Sequence, residues 1–290
     1  MIVSPSEVST FKRCRRKWRY YSSNANNLEP FTTRPAFVLG TVVHKALGDF
    51  LDSHTIPADT AKVAYDKYIT ELGVEYETRL GTRISNMELQ PLLEDRDLAV
   101  AMMTNYKDHW LTPLPENYTC LATEQEVKVA IPFSEHHLMM RLDALLMDSK
   151  DNIYVLEHKT YEQKPNPLAL AMDEQFTAYV WGANQLGVGN VIGILYDGMW
   201  KRPSPPKGRV FEDLFNRQIL HRSKLQLREF EYELEYVIQA MKLQPEYKTV
   251  PWNGCVDCAY VKLCLAETNR EDVDYIRDTF YKQKHSRSEE

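Results

Sequence analysis

The sequence predicts an α/β fold in which a central mixed sheet is flanked by helices. Large apolar residues of segment 36–53 recur with helical spacing, at Val43, Leu47, Phe50 and Leu51. Later in the chain the pattern changes to short apolar segments with partial alternation, which is typical of strands. A helix, another strand and further helices follow. Elements in this order favour one sheet that is covered by helices.

The first half of the chain is predicted to be helical. Helices are expected at 4–21, 36–53, 59–79 and 86–110. The first of them has Ser4 or Ser6 as its N-cap and Pro5 in its first turn, which are helix start signals.

The second half is predicted to carry the sheet. Strands are expected at 121–132, 137–147, 153–159 and 191–196. A turn at 148–152 joins the second strand to the third. A helix at 168–186 is ended by Gly187, and a long helix at 210–243 is ended by Pro245.

Length and composition restrict the class of protein. The chain has 290 residues, which allows one large domain with a buried core, and its net charge of −6 excludes a general attraction to nucleic acid. No apolar run approaches the ~20 residues that span a bilayer, and the first residues lack the apolar stretch of a signal peptide. We therefore expect a cytoplasmic protein with no membrane partner. Thiols stay reduced in that compartment, which favours metal binding over disulfides.

Four of the five cysteines form a pattern that is typical of a metal centre. Cys14 lies near the start, and Cys255, Cys258 and Cys264 follow Cys-x2-Cys-x5-Cys spacing near the end. Four thiolates can hold either zinc or an iron–sulfur cluster. A centre that used all four would join the two ends of the fold. Cys120 is expected to be a small buried residue.

Basic residues cluster at two places despite the net negative charge. One group surrounds Cys14 and comprises Lys12, Arg13, Arg15, Arg16, Lys17 and Arg19; the other comprises Lys201, Arg202, Lys207 and Arg209. Each group fits local phosphate binding, and each fits a solvated surface equally well. Trp18 interleaves with the first group, which suits stacking on single-stranded DNA. Packing of this aromatic residue around the cysteines is the other interpretation.

Two acids and a lysine are predicted to meet at one place in the sheet. Glu157 and Lys159 are at i and i+2 of one strand and share a face, and Asp143 lies on a neighbouring strand. Such a set can bind a divalent cation, with the lysine polarising water or stabilising charge. A surface ion pair between Glu157 and Lys159 is the simpler alternative.

Taken together, these motifs resemble the PD-(D/E)XK nuclease superfamily in its RecB-like branch. Their order is a helical Gly-x-x-x-His ending at His44, Asp143, Glu-x-Lys at 157–159, and Gln175 and Tyr179 one helical turn apart. The cysteines on both sides resemble those of the iron–sulfur members, which include AddB-type recombination nucleases and CRISPR-associated exonucleases of RecB type. The resemblance runs from Ser4 to Cys264 and implies a restriction-endonuclease-like core.

The resemblance also implies a role for each residue. Metal ligands would be His44, Asp143, Glu157 and the main-chain carbonyl of His158. Lys159 would position or activate water, and Gln175 and Tyr179 would orient the substrate or Lys159. Cys14, Cys255, Cys258 and Cys264 would hold a 4Fe–4S cluster. DNA contacts are expected from Arg13, Arg15, Arg16, Lys17, Trp18 and Arg19. Glu126 would correspond to an auxiliary acid, and Glu157 stands where the family often has Asp.

The function that follows is hydrolysis of DNA with Mg²⁺ or Mn²⁺. We expect an exonuclease that acts on single strands or DNA ends, with a structural iron–sulfur cluster and a helicase or a recombination or adaptation protein as a candidate partner. The alternative is a non-catalytic DNA-binding or assembly subunit with the same fold. No Walker A motif is present, so helicase activity is not expected in this chain.

Three regions are predicted within this function. Residues 1–35 carry the first cluster cysteine and the basic group, 36–243 form the nuclease core with a helical insertion at 54–115, and 244–290 carry the other cluster cysteines and the tail.

Overall fold

The computed structural model describes residues 1–31, 35–112, 114–243, 247–249 and 252–284. The helices are α1 (Pro5–Arg13), α2 (Arg15–Tyr21), α3 (Pro35–Ser53), α4 (Pro57–Leu80), α5 (Asn86–Trp110), α6 (Pro167–Ala171), α7 (Glu174–Asn184), α8 (Lys224–Lys242), α9 (Val261–Asn269) and α10 (Val273–Phe280). The strands are β1 (Ile2–Val3), β2 (Leu28–Pro30), β3 (Tyr118–Ala130), β4 (His137–Asp148), β5 (Ile153–Tyr161), β6 (Val191–Trp200), β7 (Phe215–His221) and β8 (Tyr281–Gln283). Two short 3₁₀ turns lie at Phe211–Leu214 and Trp252–Cys255.

A six-stranded mixed sheet forms the centre of the fold. β3 pairs with β4 in antiparallel register along nearly its whole length, and β4 continues into an antiparallel pair with β5. β5 and β6 run parallel, β7 is antiparallel to β6, and β1 is parallel to β4. The predicted α/β fold with a central mixed sheet is therefore confirmed.

Helices cover both faces of this sheet. On one face, Phe176 and Val180 of α7 pack with Val155 and Ile194 of the central strands, and α1 and α8 join the same core. On the other face, Leu51 of α3 packs against the sheet, while α4 and α5 form a second core with α3. These two helices lie inside the predicted insertion at 54–115, although the division into three regions stays a prediction.

The predicted long helix at 210–243 is wrong. Its first part is strand β7, which pairs with β6 from Gly193↔His221 to Met199↔Phe215. Pairing with β6 is a long-range interaction that the local helical pattern does not contain. α8 begins only after Ser223, whose side chain accepts a hydrogen bond from the Gln226 N–H in a capping box. Pro245 lies outside the described residues.

Two further predicted helices are each divided in the structure. The helix expected at 4–21 is interrupted at Cys14, where the backbone is extended with φ −157°. The helix expected at 168–186 is divided into α6 and α7, and the Asp173 side chain caps α7 by accepting from the Phe176 N–H. Cys14 therefore lies at a bend between two helices instead of inside one.

The N-terminal helices and the C-terminal segment pack against each other. Strands β2 and β8 form a separate antiparallel pair, and the Tyr260 hydroxyl donates to the Leu28 carbonyl over 2.7 Å. Tyr20 packs on Tyr260 in the same small core. Within the described residues, no helix combines the length and apolar composition that a transmembrane span needs.

Candidate active site

The site begins where strands β4 and β5 separate. Their ladder ends at Ala144↔Leu156, one residue after Asp143 and one before Glu157. Beyond that point the His158 N–H donates to Oδ2 of Asp143 over 2.8 Å. The Asp143 carboxylate thus accepts the N–H that a strand carbonyl would otherwise accept, at the point where the β4–β5 ladder ends.

His44 approaches the same carboxylate from helix α3. Its Nδ1 lies 3.3 Å from Oδ1 and 3.2 Å from Oδ2 of Asp143. Burial alone would raise the pKa of Asp143, but the hydrogen bond and charge of His44 lower it overall. Asp143 is therefore held as a carboxylate.

Glu157 is a buried acid with an oxygen that lacks a partner. Only 2 % of the residue is exposed, and its Oε1 lies 2.5 Å from Nζ of Lys159. Oε2 is buried and has no hydrogen-bond partner among the described residues. Burial raises the pKa of Glu157 to about 7, and the nearby charge of Asp143 acts in the same direction.

Lys159 is fixed between this acid and helix α7. Its Nζ donates to Oε1 of Gln175 over 3.1 Å, and Nε2 of Gln175 donates to the Tyr179 hydroxyl over 2.6 Å. Burial alone would lower the pKa of Lys159, but Glu157 and Asp143 raise it overall. The lysine therefore remains a cation that points into the site.

These residues open onto a cleft of about 800 Å³ between α3 and the sheet. Its lining includes His44, Asp143 and Lys159 together with the cations Lys45, Arg141 and Lys201. The cleft continues along α3 into a mainly apolar groove of similar size between α3 and α4. The open side of the acid site therefore carries both signs of charge, because Asp49 and Glu124 line the same cleft and pair with Lys45 and Arg141.

The structure brings Glu124, and not the predicted Glu126, into this cleft. Glu124 has a left-handed backbone with φ +47° inside β3, and its Oε2 lies 2.5 Å from Nε of Arg141. Gly48 of α3 permits this approach, because an added Cβ would lie 2.9 Å from Oε1 of Glu124. Glu126 is exposed on the strand. A backbone distortion of this kind leaves no signal in the local alternation, so the sequence did not indicate Glu124, and the auxiliary role of Glu126 stays a prediction.

The predicted DNA-binding stretch contacts the C-terminal segment instead of lining this cleft. Trp18 is 1 % exposed and packs edge-on against Phe11, so its burial rules out the stacking on bases that was one of its two interpretations. Arg19 forms an ion pair with Glu267 at 2.6 Å, and Arg16 donates to Thr268. Arg13 is exposed, while Arg15 and Lys17 are half-buried. DNA contact by the basic residues of this stretch stays a prediction.

The four predicted cluster cysteines lie where the two ends of the chain meet. Burial alone would raise the pKa of Cys14, but backbone N–H groups of Lys17, Thr249 and Arg16 lower it overall. Burial raises the pKa of Cys258, and the nearby thiols of Cys14 and Cys255 raise it further. Cys14 and Cys255 thus both lie close enough to Cys258 to act on its pKa.

Cys264 has a different neighbour. The Arg16 guanidinium donates to its Sγ over 3.5 Å. Over the ranges that the structure describes, no group of three or more His, Cys, Asp or Glu side chains has the arrangement of a metal site. This holds for the four cysteines and also for His44, Asp143 and Glu157, so the cluster and the clasp that it would form remain predictions.

The chemistry of the acid site nevertheless fits a divalent cation. Asp143 is hydrogen-bonded to His44, and Glu157 is paired with Lys159. The carboxylate oxygens therefore point at these neighbours and do not converge on one metal position. Glu157 keeps one buried oxygen without a partner among the described residues. Carboxylate oxygens are the hard ligands that Mg²⁺ and Mn²⁺ prefer, and this site has two neighbouring carboxylates, one with an oxygen that makes no hydrogen bond.

The raised pKa of Glu157 predicts a pH dependence of stability without metal. Between the ordinary pKa of 4.5 and about 7, the folded protein holds a proton that the unfolded chain releases. Stability from this group is therefore present at low pH and is lost as pH rises through about 7. We compare the melting temperatures of the wild type and Glu157→Gln in the presence of a chelator. The difference, wild type minus variant, should fall by a few degrees between pH 5 and pH 8. In a chain of this size about 1 kcal/mol shifts the melting temperature by about 2–4 °C.

Circular dichroism melts of both proteins across this pH range measure the difference. A difference that stays constant, or that grows with pH, would contradict the raised pKa.

Comparison with known proteins supports the same family as the motifs. The sequence pattern of the PD-(D/E)XK nuclease superfamily matches residues 2–265. No curated protein matches the chain. A solved structure named SSO0001 is 12% identical with a TM-score of 0.40, covering 89% of this chain and 83% of its own. One from Eubacterium rectale, named "putative exonuclease", is 11% identical with a TM-score of 0.47, covering 88% and 86%. Similarity at this level carries no argument about activity.

Proposed function

The chain belongs to the PD-(D/E)XK nuclease superfamily, and on this basis we propose that it is a DNA exonuclease that depends on Mg²⁺ or Mn²⁺ and acts on single strands or DNA ends. The observation that carries the proposal is the complete set of Asp143, Glu157 and Lys159 at one point, where Asp143 and Lys159 line an open cleft. We assign His44, Asp143, Glu157 and the His158 carbonyl as the residues that would hold the metal.

A divalent cation bound there would withdraw charge from the scissile phosphate and make water a better nucleophile. The two acids differ in how ready they are to bind it. Asp143 is kept ionised by His44 and by the His158 N–H, so it can bind a cation at neutral pH. Glu157 must lose its proton before it can bind one, which makes metal affinity rise with pH.

Lys159 acts as a hydrogen-bond donor and a positive charge. Its raised pKa keeps it protonated, so it cannot take a proton from water, but it can orient water and stabilise the negative charge that develops on the phosphate. Gln175 receives one of its hydrogens and Tyr179 holds Gln175, so these two residues set the direction of the ammonium.

The cleft supports a single strand as the substrate. Glu157 is buried and Lys159 is partly covered, so a phosphate must enter the cleft to reach them. A strand with free bases can enter such a cleft more easily than an intact duplex. Lys45, Arg141 and Lys201 lie along the lining, each paired with an acid, and would contact its phosphates by exchanging these partners.

We propose further that Cys14, Cys255, Cys258 and Cys264 hold a 4Fe–4S cluster with a structural role. Four thiolates are the usual ligands of such a cluster. The lowered pKa of Cys14 supports thiolate character, and the proximity of Cys14, Cys255 and Cys258 supports a shared site. With such a cluster the chain would resemble the RecB-like iron–sulfur members, and we propose a recombination or adaptation protein as a candidate partner.

A nuclease assay tests the proposal. End-labelled linear single-stranded DNA should be degraded with Mn²⁺ or Mg²⁺ and should remain intact in EDTA. Linear duplexes should be degraded more slowly and circular single strands hardly at all. If circular single strands are cleaved as fast as linear ones, the protein is an endonuclease and not an exonuclease. If it binds DNA but cleaves none with any metal, the alternative of a non-catalytic assembly subunit is favoured.

A further inference from the structure

A row of buried polar residues crosses the sheet behind the acid site. Strand register pairs His158 of β5 with Asp197 of β6, and Asp197 with Arg217 of β7. Paired residues of neighbouring strands project from the same face. The three side chains therefore stand side by side on the face that α3 and α5 cover.

Helix α5 completes the row with Tyr106. The Tyr106 hydroxyl donates to Oδ2 of Asp197 over 2.6 Å, and Arg217 donates to the same oxygen and to the Tyr106 hydroxyl, each over 2.8 Å. Nδ1 of His158 lies 3.4 Å from that oxygen. The Arg217 guanidinium also stacks 3.7 Å from the Trp110 ring centre, so both sides of the arginine are held.

Stability alone does not account for this row. Asp197 is 0 % exposed, and burying a charged pair is so costly that apolar residues of similar volume often give an equally stable protein. Oδ1 of Asp197 and Nε of Arg217 have no hydrogen-bond partner among the described residues. A row with unsatisfied atoms is a poor means of stabilising a core.

The row ends at the residue whose main chain enters the active site. His158 donates its N–H to Asp143 on one side while its ring contacts the row on the other, and its ring lies 6.4 Å from that of His44. Glu157 and Lys159 flank it in sequence. A displacement of His158 would therefore move both acids and the lysine together.

We propose that Tyr106, Asp197 and Arg217 are positioning residues that hold His158, and through it Asp143 and Glu157, in the geometry required for metal binding. The inference rests on the proposed function, because it assigns the row to the same acid site. It also gives the helical insertion a role. Helix α5 supplies the hydroxyl that closes the row, so the insertion supports the site although it contributes none of the proposed metal ligands.

The test removes one hydroxyl from the row and one from a matched control. Tyr106→Phe deletes the bond to Asp197 and the bond from Arg217. Tyr76→Phe deletes a hydroxyl that donates to the carboxylate of Glu88 over 3.0 Å in a partly buried bond, also within the insertion but between α4 and α5. Both changes keep the ring and remove a hydroxyl that bonds an acid. Tyr106→Phe also loses the bond from Arg217 at a deeper site, so each variant is measured well below its own melting temperature.

Mn²⁺ affinity is measured by calorimetry without DNA, beside kcat and KM on linear single-stranded DNA. Tyr106→Phe should weaken Mn²⁺ binding about 10-fold and lower kcat with little change in KM for DNA, as expected when a group that orients metal ligands is lost. Tyr76→Phe should keep wild-type values of all three. Equal Mn²⁺ affinity and equal kcat in the two variants would overturn the inference.

A second variant covers failure of the first to fold. His158→Phe keeps a buried ring and the main-chain N–H but removes the contact with Asp197, and it should show the same weaker Mn²⁺ binding. If the wild type binds Mn²⁺ but cleaves nothing, the proposed function fails while the calorimetry still tests the row.

Discussion

Lys159→Ala should reduce the rate of DNA cleavage about 10²- to 10³-fold or more, which is the range for losing one preorganised donor at a developing charge. In the structure its Nζ is held by Glu157 and Gln175. Removal also leaves Glu157 buried without its partner cation. Its pKa should then rise further, and Mn²⁺ binding should require a higher pH.

The measurement compares kcat and the pH dependence of Mn²⁺ affinity for wild type, Lys159→Ala and Lys159→Arg. The arginine variant keeps the charge but changes its geometry, so it should restore the pH dependence more fully than the rate. Lys150→Ala serves as the control, because this exposed lysine lies in the turn before β5 at the other end of the strand. Unchanged cleavage by Lys159→Ala would remove this residue from the proposed chemistry.

Cys258→Ala should abolish the proposed cluster and destabilise the joined ends of the chain. A cluster on Cys14 and Cys258 would close a loop of more than half the chain, and chain entropy gives about 5 kcal/mol for a cross-link of that size. Anaerobically purified wild type should be brown, with absorption at about 400 nm and about four iron atoms per chain. The variant should lose colour and iron and melt at a clearly lower temperature.

Cys120→Ala is the matched control for this experiment. Cys120 lies on β3, partly buried, with its thiol near the Ala122 carbonyl and outside the four-cysteine group. It should keep colour, iron content and melting temperature close to those of the wild type. A colourless wild type with one zinc per chain would replace the iron–sulfur assignment, and a wild type without metal that melts like Cys258→Ala would remove the cluster altogether.

Much of the site could be predicted because its residues lie on elements with clear local patterns. Glu157 and Lys159 are two residues apart on a strand, and Gln175 and Tyr179 one turn apart on a helix. Strand and helix geometry therefore places each pair on one face. The structure brings both pairs together with His44 and Asp143. Their catalytic roles stay predictions.

Strand β7 and Glu124 could not be predicted in this way. The β7 segment satisfies its backbone only by pairing with β6, and its apolar residues do not alternate strongly enough to show it. Glu124 enters the cleft through a left-handed backbone opposite Gly48, a combination of two residues far apart in sequence. β7 depends on β6, and the position of Glu124 depends on Gly48. Each partner lies far away in the sequence, so local patterns could not show either feature.

Spacing within single strands and helices was sufficient to predict most of the order of the elements, the family motifs and the residue types of the acid site. The distant groups that support this site became visible only in the folded chain. Asp197 and Arg217 looked like ordinary charges in the sequence, and register between β5, β6 and β7 placed them beside His158. Register depends on how whole strands pair, and local periodicity does not encode that information.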